Sequence, residues 1–341
     1  MSKNCMIIGG EIAALRAAKD LAILGVPVTL VNPSKEFGET TKMFQRGILE
    51  FADNKNIVKS YQEELSSKSN VIVMNDAHIT KVIRKETPFE VEVEQDGTTK
   101  NLVANTVIIA SGFEIFNAEI LEEYGYKSLQ GVLTIFDLES AIHDKKLPIN
   151  DKTNRVIFIL CVGSRIQRAG ANPQCSTYCC SYSINQALRI KKEFPEINVI
   201  ILYMDIRTVA DHEYLYNEAR KLGVIFIRGR PSSIEYSENK LITFYEDTLA
   251  KSQDLLPADI VVLAVGGVQA PGSEDIANKF GIQLNANKFI KITEKPVFTS
   301  TAGIFTCGSA CEGVKSIQQN LSEGGAAAMA AFQFLTELKE L

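Results

Sequence analysis

Apolar residues recur along this chain in two alternating periods. Cys5-Met-Ile-Ile8 is a short, wholly apolar run. After Gly9-Gly10 come Ile12, Leu15, Ala18, Leu21 and Leu24 at helical spacing. Gly25 stands where a helix C-terminus favours a left-handed residue. Pro27 lies at the start of a second apolar run, Val26 to Val31, where a missing N–H is tolerated. This order predicts strand, tight turn, helix and strand over about 30 residues, the length of a dinucleotide-binding βαβ unit.

The pattern then changes. Val71–Met74, Ile79–Ile83 and Phe89–Glu94 read as short strands, and Asp96-Gly97 is a hairpin signal. Val107–Gly112 returns to a buried strand ending in small residues, so a β-meander is expected ahead of a parallel strand. A second α/β run follows, with strands Val156–Leu160, Val199–Met204 and Val224–Ile227 and helices Ser181–Phe194 and His212–Leu222. Ile234–Asp247 reads as another hairpin, and Ile260–Gly266 closes this unit with Ala264-Val265-Gly266 much as Ala110-Ser111-Gly112 closes Val107–Gly112. Gly303–Gly308 and an alanine-rich helix, Ser316–Leu338, return to the first domain. The expected architecture is α/β: two related dinucleotide-binding (Rossmann-type) domains, the first discontinuous (1–118 and 272–341, with the inserted meander), the second 119–271.

Composition narrows the function. The 341 residues suffice for two cores, and 45% hydrophobic with 23% charged residues is ordinary for a soluble protein. A net charge of -5 speaks against nucleic-acid binding, which leans on Lys and Arg. No apolar run reaches the ~20 residues of a membrane span and no signal peptide opens the chain, so a cytoplasmic protein is expected. Seven cysteines in a reducing compartment read as metal or redox ligands before disulfides. His78, His143 and His212 lie in no metal-ligand or catalytic spacing.

Three motifs point to a flavin. Gly9, Gly10, Ala13 and Ala14 lie in a turn similar to G-x-G-x-x-G/A, but Glu11 takes the second fingerprint glycine, a poor neighbour for an anion at a helix N-terminus. Asn32 stands where an acid would bind a ribose hydroxyl. Asn105–Gly112, ending Ala110-Ser111-Gly112, looks like the ATG-type strand of flavoprotein disulfide reductases. Thr301–Ser309 looks like their C-terminal flavin motif, with Ser309 after Gly308 in place of the usual acid. Lys315, with a helix beginning near Val314-Lys315, would stabilise negative charge on a reduced flavin; the plain alternative is a solvated lysine. The alanines of the last helix permit close approach to a cofactor or to another helix.

Cys161, Cys175, Cys179 and Cys180 fall within twenty residues, spaced C-x13-C-x3-C-C. Cys161 follows the strand where a nicotinamide-binding domain would place its glycine turn. The spacing matches neither a zinc ribbon nor a bacterial ferredoxin nor a C-x-x-C redox pair. Four thiolates from one loop and a helix start can hold a [4Fe-4S] cluster, with Gly163, Ser164 and Gly170 leaving N–H groups for its sulfurs and Arg165 adding positive charge. A zinc site, a redox disulfide and buried structural cysteines are the alternatives, and Cys307 or Cys311 is a possible substitute ligand.

Cys161-Val-Gly-Ser-Arg165, the Cys175–Cys180 segment, Ile201–Thr208 and Val224–Arg230 together resemble the A subunit of heterodisulfide reductase over nearly the whole chain. The short form, lacking ferredoxin-type inserts, is similar to the A subunit of the sulfur-oxidising heterodisulfide reductase-like complex. The resemblance implies a thioredoxin-reductase-like fold, FAD, a [4Fe-4S] cluster on this cysteine set, a homodimer, and partners resembling heterodisulfide reductase B and C subunits. It implies an electron-transfer oxidoreductase subunit of sulfur metabolism. Two other readings remain: an NAD(P)H-dependent flavin disulfide reductase using a cysteine pair, and a scaffold with decayed cofactor sites.

Overall fold

The apolar run Cys5–Ile8 becomes the middle strand of a five-stranded parallel sheet. In this computed structural model, which describes residues 3–44, 53–208 and 212–338, it pairs with Val28–Val31 on one side and Thr106–Ile109 on the other. Val71–Met74 and Ile304–Thr306 form the two edges. All four residues of Cys5–Ile8 are buried, which is why the strand shows no alternation. On one face lie the helices Ile12–Ile23 and Ile317–Glu337, sharing a core with Cys5, Ile7 and Ile108. The other face packs Met6, Ile8 and Ile109 against Phe89, Val91 and Val93.

That second layer is a three-stranded antiparallel meander, Ala77–Arg84, Phe89–Gln95 and Thr98–Ala104. Asp96 and Gly97 turn the hairpin with φ of 52° and 71°, the left-handed pair that a two-residue turn needs. The hydrophobic pattern misplaces one strand here. Val71–Met74 joins the parallel sheet and not the meander, whose third strand is Thr98–Ala104. An isolated apolar run does not say which sheet it extends.

Arg155–Val162 centres the second sheet, between Asn198–Tyr203 and Ile260–Val265, all parallel. Val132–Thr134 adds an edge and leads into the helix Ile135–His143 through a Thr134/Asp137 capping box. Ile225–Ser237 starts parallel and continues as an antiparallel hairpin with Lys240–Asp247, to which Ser252–Ala258 is added. Helices Cys179–Glu193 and Glu213–Lys221 complete this unit.

The chain divides into two compact units, Met1–Met43 with Ala52–Glu114 and Gln269–Leu341, and Phe44–Phe51 with Ile115–Val268. The first is built on the five-stranded parallel sheet and the second on a seven-stranded mixed sheet. Among the described residues no helix is long and apolar enough to cross a membrane.

Candidate cofactor sites

In the first unit the turn after Cys5–Ile8 is packed closely against neighbouring backbone and side chains. Gly9 has φ of 132°, and a Cβ on it would lie 2.1 Å from the Ala110 carbonyl oxygen. A Cβ on Gly10 would lie 2.1 Å from Asn32 Oδ1. Gly112 (φ 73°) and Gly308 (φ 69°) are also left-handed, and a Cβ on Gly308 would meet Asn320 Oδ1 and Ala13 Cβ. Ala13 and Ala14 are buried at the start of the Ile12–Ile23 helix, whose N-cap residue Glu11 makes no side-chain cap. The first N–H groups of that helix thus lack a capping side chain, the condition for accepting an anion. Ser111 shares a 2.8 Å hydrogen bond with Ser273.

Asn32 is buried at the end of Val28–Val31 and is occupied locally. Its Oδ1 accepts from Ser34 N–H, and its Nδ2 donates to the Glu36 carbonyl and Asn75 Oδ1. Glu11, the residue out of pattern, turns its carboxylate toward the Gly38–Thr41 segment. There it accepts from Thr40 N–H (2.9 Å), Thr41 N–H (3.1 Å) and the Thr41 hydroxyl (2.6 Å). Nothing in the sequence marks Thr40 and Thr41 as its partners.

The C-terminal motif is knitted by residues that sequence spacing does not single out. Ser309 N–H donates to Asn320 Oδ1, and its hydroxyl accepts from Lys315 N–H. The Lys315 ammonium donates to Glu323 Oε2 (2.7 Å), the Gly308 carbonyl (3.2 Å) and Cys311 Sγ (3.2 Å). Burial opposes its charge, but Cys311 and Glu323 outweigh that and hold the ammonium above its ordinary range. Lys315 is therefore an anchored residue and not a solvated one. It also precedes the helix: Ile317–Glu337 begins behind the Ser316/Gln319 capping box, which uses the first donors internally. The S-x-x-Q signature is the readable signal for that start. The alanine-rich face of this helix serves helix packing, since a Cβ on Gly324 would lie 2.5 Å from the Ala13 carbonyl oxygen.

In the second unit the turn after Arg155–Val162 is strained. Cys161 and Arg165, both non-glycine, have φ of 63° and 59°, and the pairing with Ile260–Val265 slips between Ile159 and Val162. The 163–178 loop fills the interval before the next helix. It is pinned to the strand end at Gly267, whose N–H donates to Ser176 Oγ and whose carbonyl accepts from Asn172 Nδ2. Tyr178 adds a hydroxyl bond to the Val265 carbonyl. A short glycine turn for a nicotinamide dinucleotide is thus replaced by a cysteine loop.

Cys179 and Cys180 open the helix Cys179–Glu193, whose N-cap Tyr178 makes no side-chain cap. Cys161, Cys179 and Cys180 are buried and Cys175 is half-buried. Cys161, Cys179 and Cys180 each feel the charge of others in the set, Cys175 included. Burial pushes the free thiols of Cys161 and Cys179 up, and that of Cys180 to about 12. Arg165 pulls Cys161 the other way and also pairs with Asp205, to which Arg207 Nε donates at 3.1 Å. Burial opposes the charge of Asp205, but these two guanidinium groups outweigh it and hold the carboxyl low. Ser164 Oγ and Ser183 Oγ are buried without a hydrogen-bond partner. Among the described residues no three His, Cys, Asp or Glu side chains converge closely enough for a single metal ion. All seven cysteines are free.

A family model described as pyridine nucleotide-disulphide oxidoreductase matches residues 3–324. The chain belongs to that family. Its curated relatives include the A subunit of the H(2):CoB-CoM heterodisulfide,ferredoxin reductase of Methanothermobacter thermautotrophicus, 35% identical over 72% of this chain and 38% of the relative. The A subunit of the ferredoxin:CoB-CoM heterodisulfide reductase of Methanosarcina acetivorans is 31% identical over 72% of this chain and 36% of the relative. The iron-sulfur A subunit of the CoB–CoM heterodisulfide reductase of Methanocaldococcus jannaschii is 28% identical over 97% of this chain and 64% of the relative. The resemblance to the heterodisulfide reductase A subunits is thereby upheld, and the chain spans less than two thirds of the length of these relatives. Among solved structures, Lactococcus lactis thioredoxin reductase superposes with a TM-score of 0.67 at 18% identity, covering 99% of this chain and 100% of the other. The thioredoxin reductase of T. acidophilum gives 0.65 at 17% identity, covering 97% of both. The thioredoxin-reductase-like pair of dinucleotide-binding folds is confirmed.

Proposed function

We propose that this chain is the FAD- and [4Fe-4S]-containing electron-transfer subunit of a heterodisulfide reductase-like complex in sulfur metabolism. The carrying observation is the placement of four thiols in one unit, Cys161 at a strand end with left-handed backbone, Cys175 on the loop that follows, and Cys179 and Cys180 at the start of the next helix. The spacing C-x13-C-x3-C-C is not that of a zinc ribbon, and four thiolates from one loop and a helix start can hold a [4Fe-4S] cluster. The Arg165 guanidinium, which pulls the Cys161 thiol down against burial, suits an anionic group on these cysteines.

In the first unit the uncapped start of the Ile12–Ile23 helix would take the pyrophosphate, and Gly9, Gly10, Ala13, Ala14, Asn32, Ala110, Ser111, Gly112, Gly308 and Ser309 would hold FAD. FAD would supply two-electron exchange and the cluster one-electron exchange. Lys315 would offset negative charge at the flavin end, held in place by Glu323 and Cys311. The partners would be B- and C-like subunits, with the chain as a homodimer in the cytoplasm.

Anaerobic purification followed by iron, sulfide and flavin analysis tests this. About four irons and one FAD per chain are expected for a cluster held by four cysteines. Flavin without iron would overturn the reading in favour of a thiol-based disulfide reductase, and neither cofactor after reconstitution would favour a scaffold.

A further inference from the structure

We infer that Glu11 is an in-chain anion competing with the pyrophosphate of FAD, and that it sets the affinity of the first unit for its cofactor. The inference rests on the FAD reading above. Glu11 occupies the second glycine position of the dinucleotide turn, where the absence of a side chain normally lets pyrophosphate approach the backbone. Its own backbone does not ask for glycine. With φ of -84° and ψ of 172° it is extended, a conformation any residue adopts, so the requirement at this position is for space alone.

That space is filled by a charged group with a built seat. The Glu11 side chain crosses Gly112, whose Cβ, if present, would lie 3.1 Å from Glu11 Cγ. Beyond it the carboxylate gathers three donors: Thr40 N–H, Thr41 N–H and the Thr41 hydroxyl, the last at 2.6 Å. Two backbone amides and a hydroxyl converging on one anion are the donor types that hold phosphate oxygens. Gly9 and Gly10 are glycine for packing within the protein, a Cβ on either lying 2.1 Å from the Ala110 carbonyl oxygen or Asn32 Oδ1, so Glu11 is the residue of the turn that brings a charge to it. A dianionic pyrophosphate approaching this turn must bear the carboxylate's charge or displace it from all three donors. Either route weakens binding relative to a chain with glycine here.

The same contact stabilises the flavin-free chain, so its removal acts in opposite directions on two measurements. Flavin-free wild-type, Glu11→Gln and Glu11→Gly proteins are titrated with FAD by flavin fluorescence and calorimetry, and their thermal unfolding is followed without flavin. Both variants are expected to bind FAD at least about tenfold more tightly, equivalent to about 1.4 kcal/mol. Both are also expected to unfold at lower temperature when flavin-free. A purely structural role for Glu11 lowers stability and affinity together, so equal or weaker FAD binding by both variants overturns the inference. If wild type and variants all fail to bind FAD, the FAD reading falls, and this inference with it.

Discussion

The Lys315 ammonium lies 2.7 Å from Glu323 Oε2, and the same oxygen accepts from Gly308 N–H at 2.9 Å. One carboxylate thus ties the end of the Thr301–Ser309 motif to the long helix and to the lysine. Both side chains are mostly buried, at 15% and 29% exposure. Removing the cation leaves a poorly solvated carboxylate without its partner, which costs more than the pair itself contributes. Lys315→Met is expected to destabilise the protein by roughly 2 kcal/mol. Adding Glu323→Gln should recover part of that loss, and urea unfolding of the two single variants and the double variant measures the coupling.

Cys311 makes alkaline stability a second readout of this corner. Burial pushes its thiol up to about 11, with Lys315 pulling the other way. The unfolded thiol ionises near pH 9. A raised folded value means that the stabilisation is complete below about pH 9 and is lost as pH rises toward 11. The loss for this group is roughly 2–3 kcal/mol. Lys315, also raised, loses its contribution in the same direction at higher pH. Cys311→Ala should flatten the stability curve between pH 9 and 11 by about one proton in slope. Urea titrations across that range check it, and an unchanged slope refutes it.

A buried carboxylate in the second unit offers a cleaner case. Glu139 is 3% exposed in its side chain and receives Arg189 Nη1 at 3.2 and 3.3 Å and Gln186 Nε2 at 3.0 Å. Arg189 and Gln186 lie on the helix that begins with Cys179 and Cys180, so this network fixes the far part of the cysteine-bearing helix. Arg189→Met should cost about 3 kcal/mol, because it strands a buried charge, whereas Arg189→Met with Glu139→Leu should cost less. Unfolding midpoints of the three proteins decide between these outcomes.

Backbone at Gly9 predicts a steric failure. An added Cβ would meet the Ala110 carbonyl oxygen at 2.1 Å, and neither partner is the flexible end of a side chain. The φ of 132° is itself disfavoured for any L side chain. Gly9→Ala should destabilise the first unit by more than about 3 kcal/mol, whereas Gly25→Ala, with open space around its Cβ, carries only the cost of its left-handed φ of 79°, about 1 kcal/mol. Parallel thermal melts compare the two.

How far the sequence exposes this structure depends on burial. Cys5–Ile8, Thr106–Ile109 and Ile260–Val265 are buried on both faces, so their continuous apolar runs are readable. Thr98–Ala104 is the last strand of the antiparallel meander and Ser252–Ala258 the antiparallel edge of the seven-stranded mixed sheet, and both are mostly exposed. Their solvent-facing residues erase the alternation that would mark them. At the site, Glu11 is visible as a misfit to the glycine pattern. Its partners, Thr40 and Thr41, lie 29 and 30 residues away and carry no motif, so the resolution of the misfit needs the folded chain. Glu323 and Asp205 are hidden for the same reason: their roles come from tertiary placement beside Lys315 and Arg165.

The cysteine assignment predicts a pattern of iron loss that distinguishes ligands from bystanders. Cys179 and Cys180 sit at the helix start, Cys161 on the strained turn and Cys175 on the loop between them, and their charges interact. Cys5 is buried in the first core with its thiol pushed far up by burial, and Cys307 is likewise buried and raised. Thiols buried in an apolar core in this way behave as small apolar side chains. Serine at Cys161, Cys175, Cys179 or Cys180 should each remove most of the iron and the visible absorption of the cluster. Cys5→Ala and Cys307→Ala should keep about four irons per chain, because the four-cysteine set is then unaltered. Iron retained at full level in Cys179→Ser, together with iron lost in Cys307→Ala, would show that the cluster draws on the cysteines of the first unit.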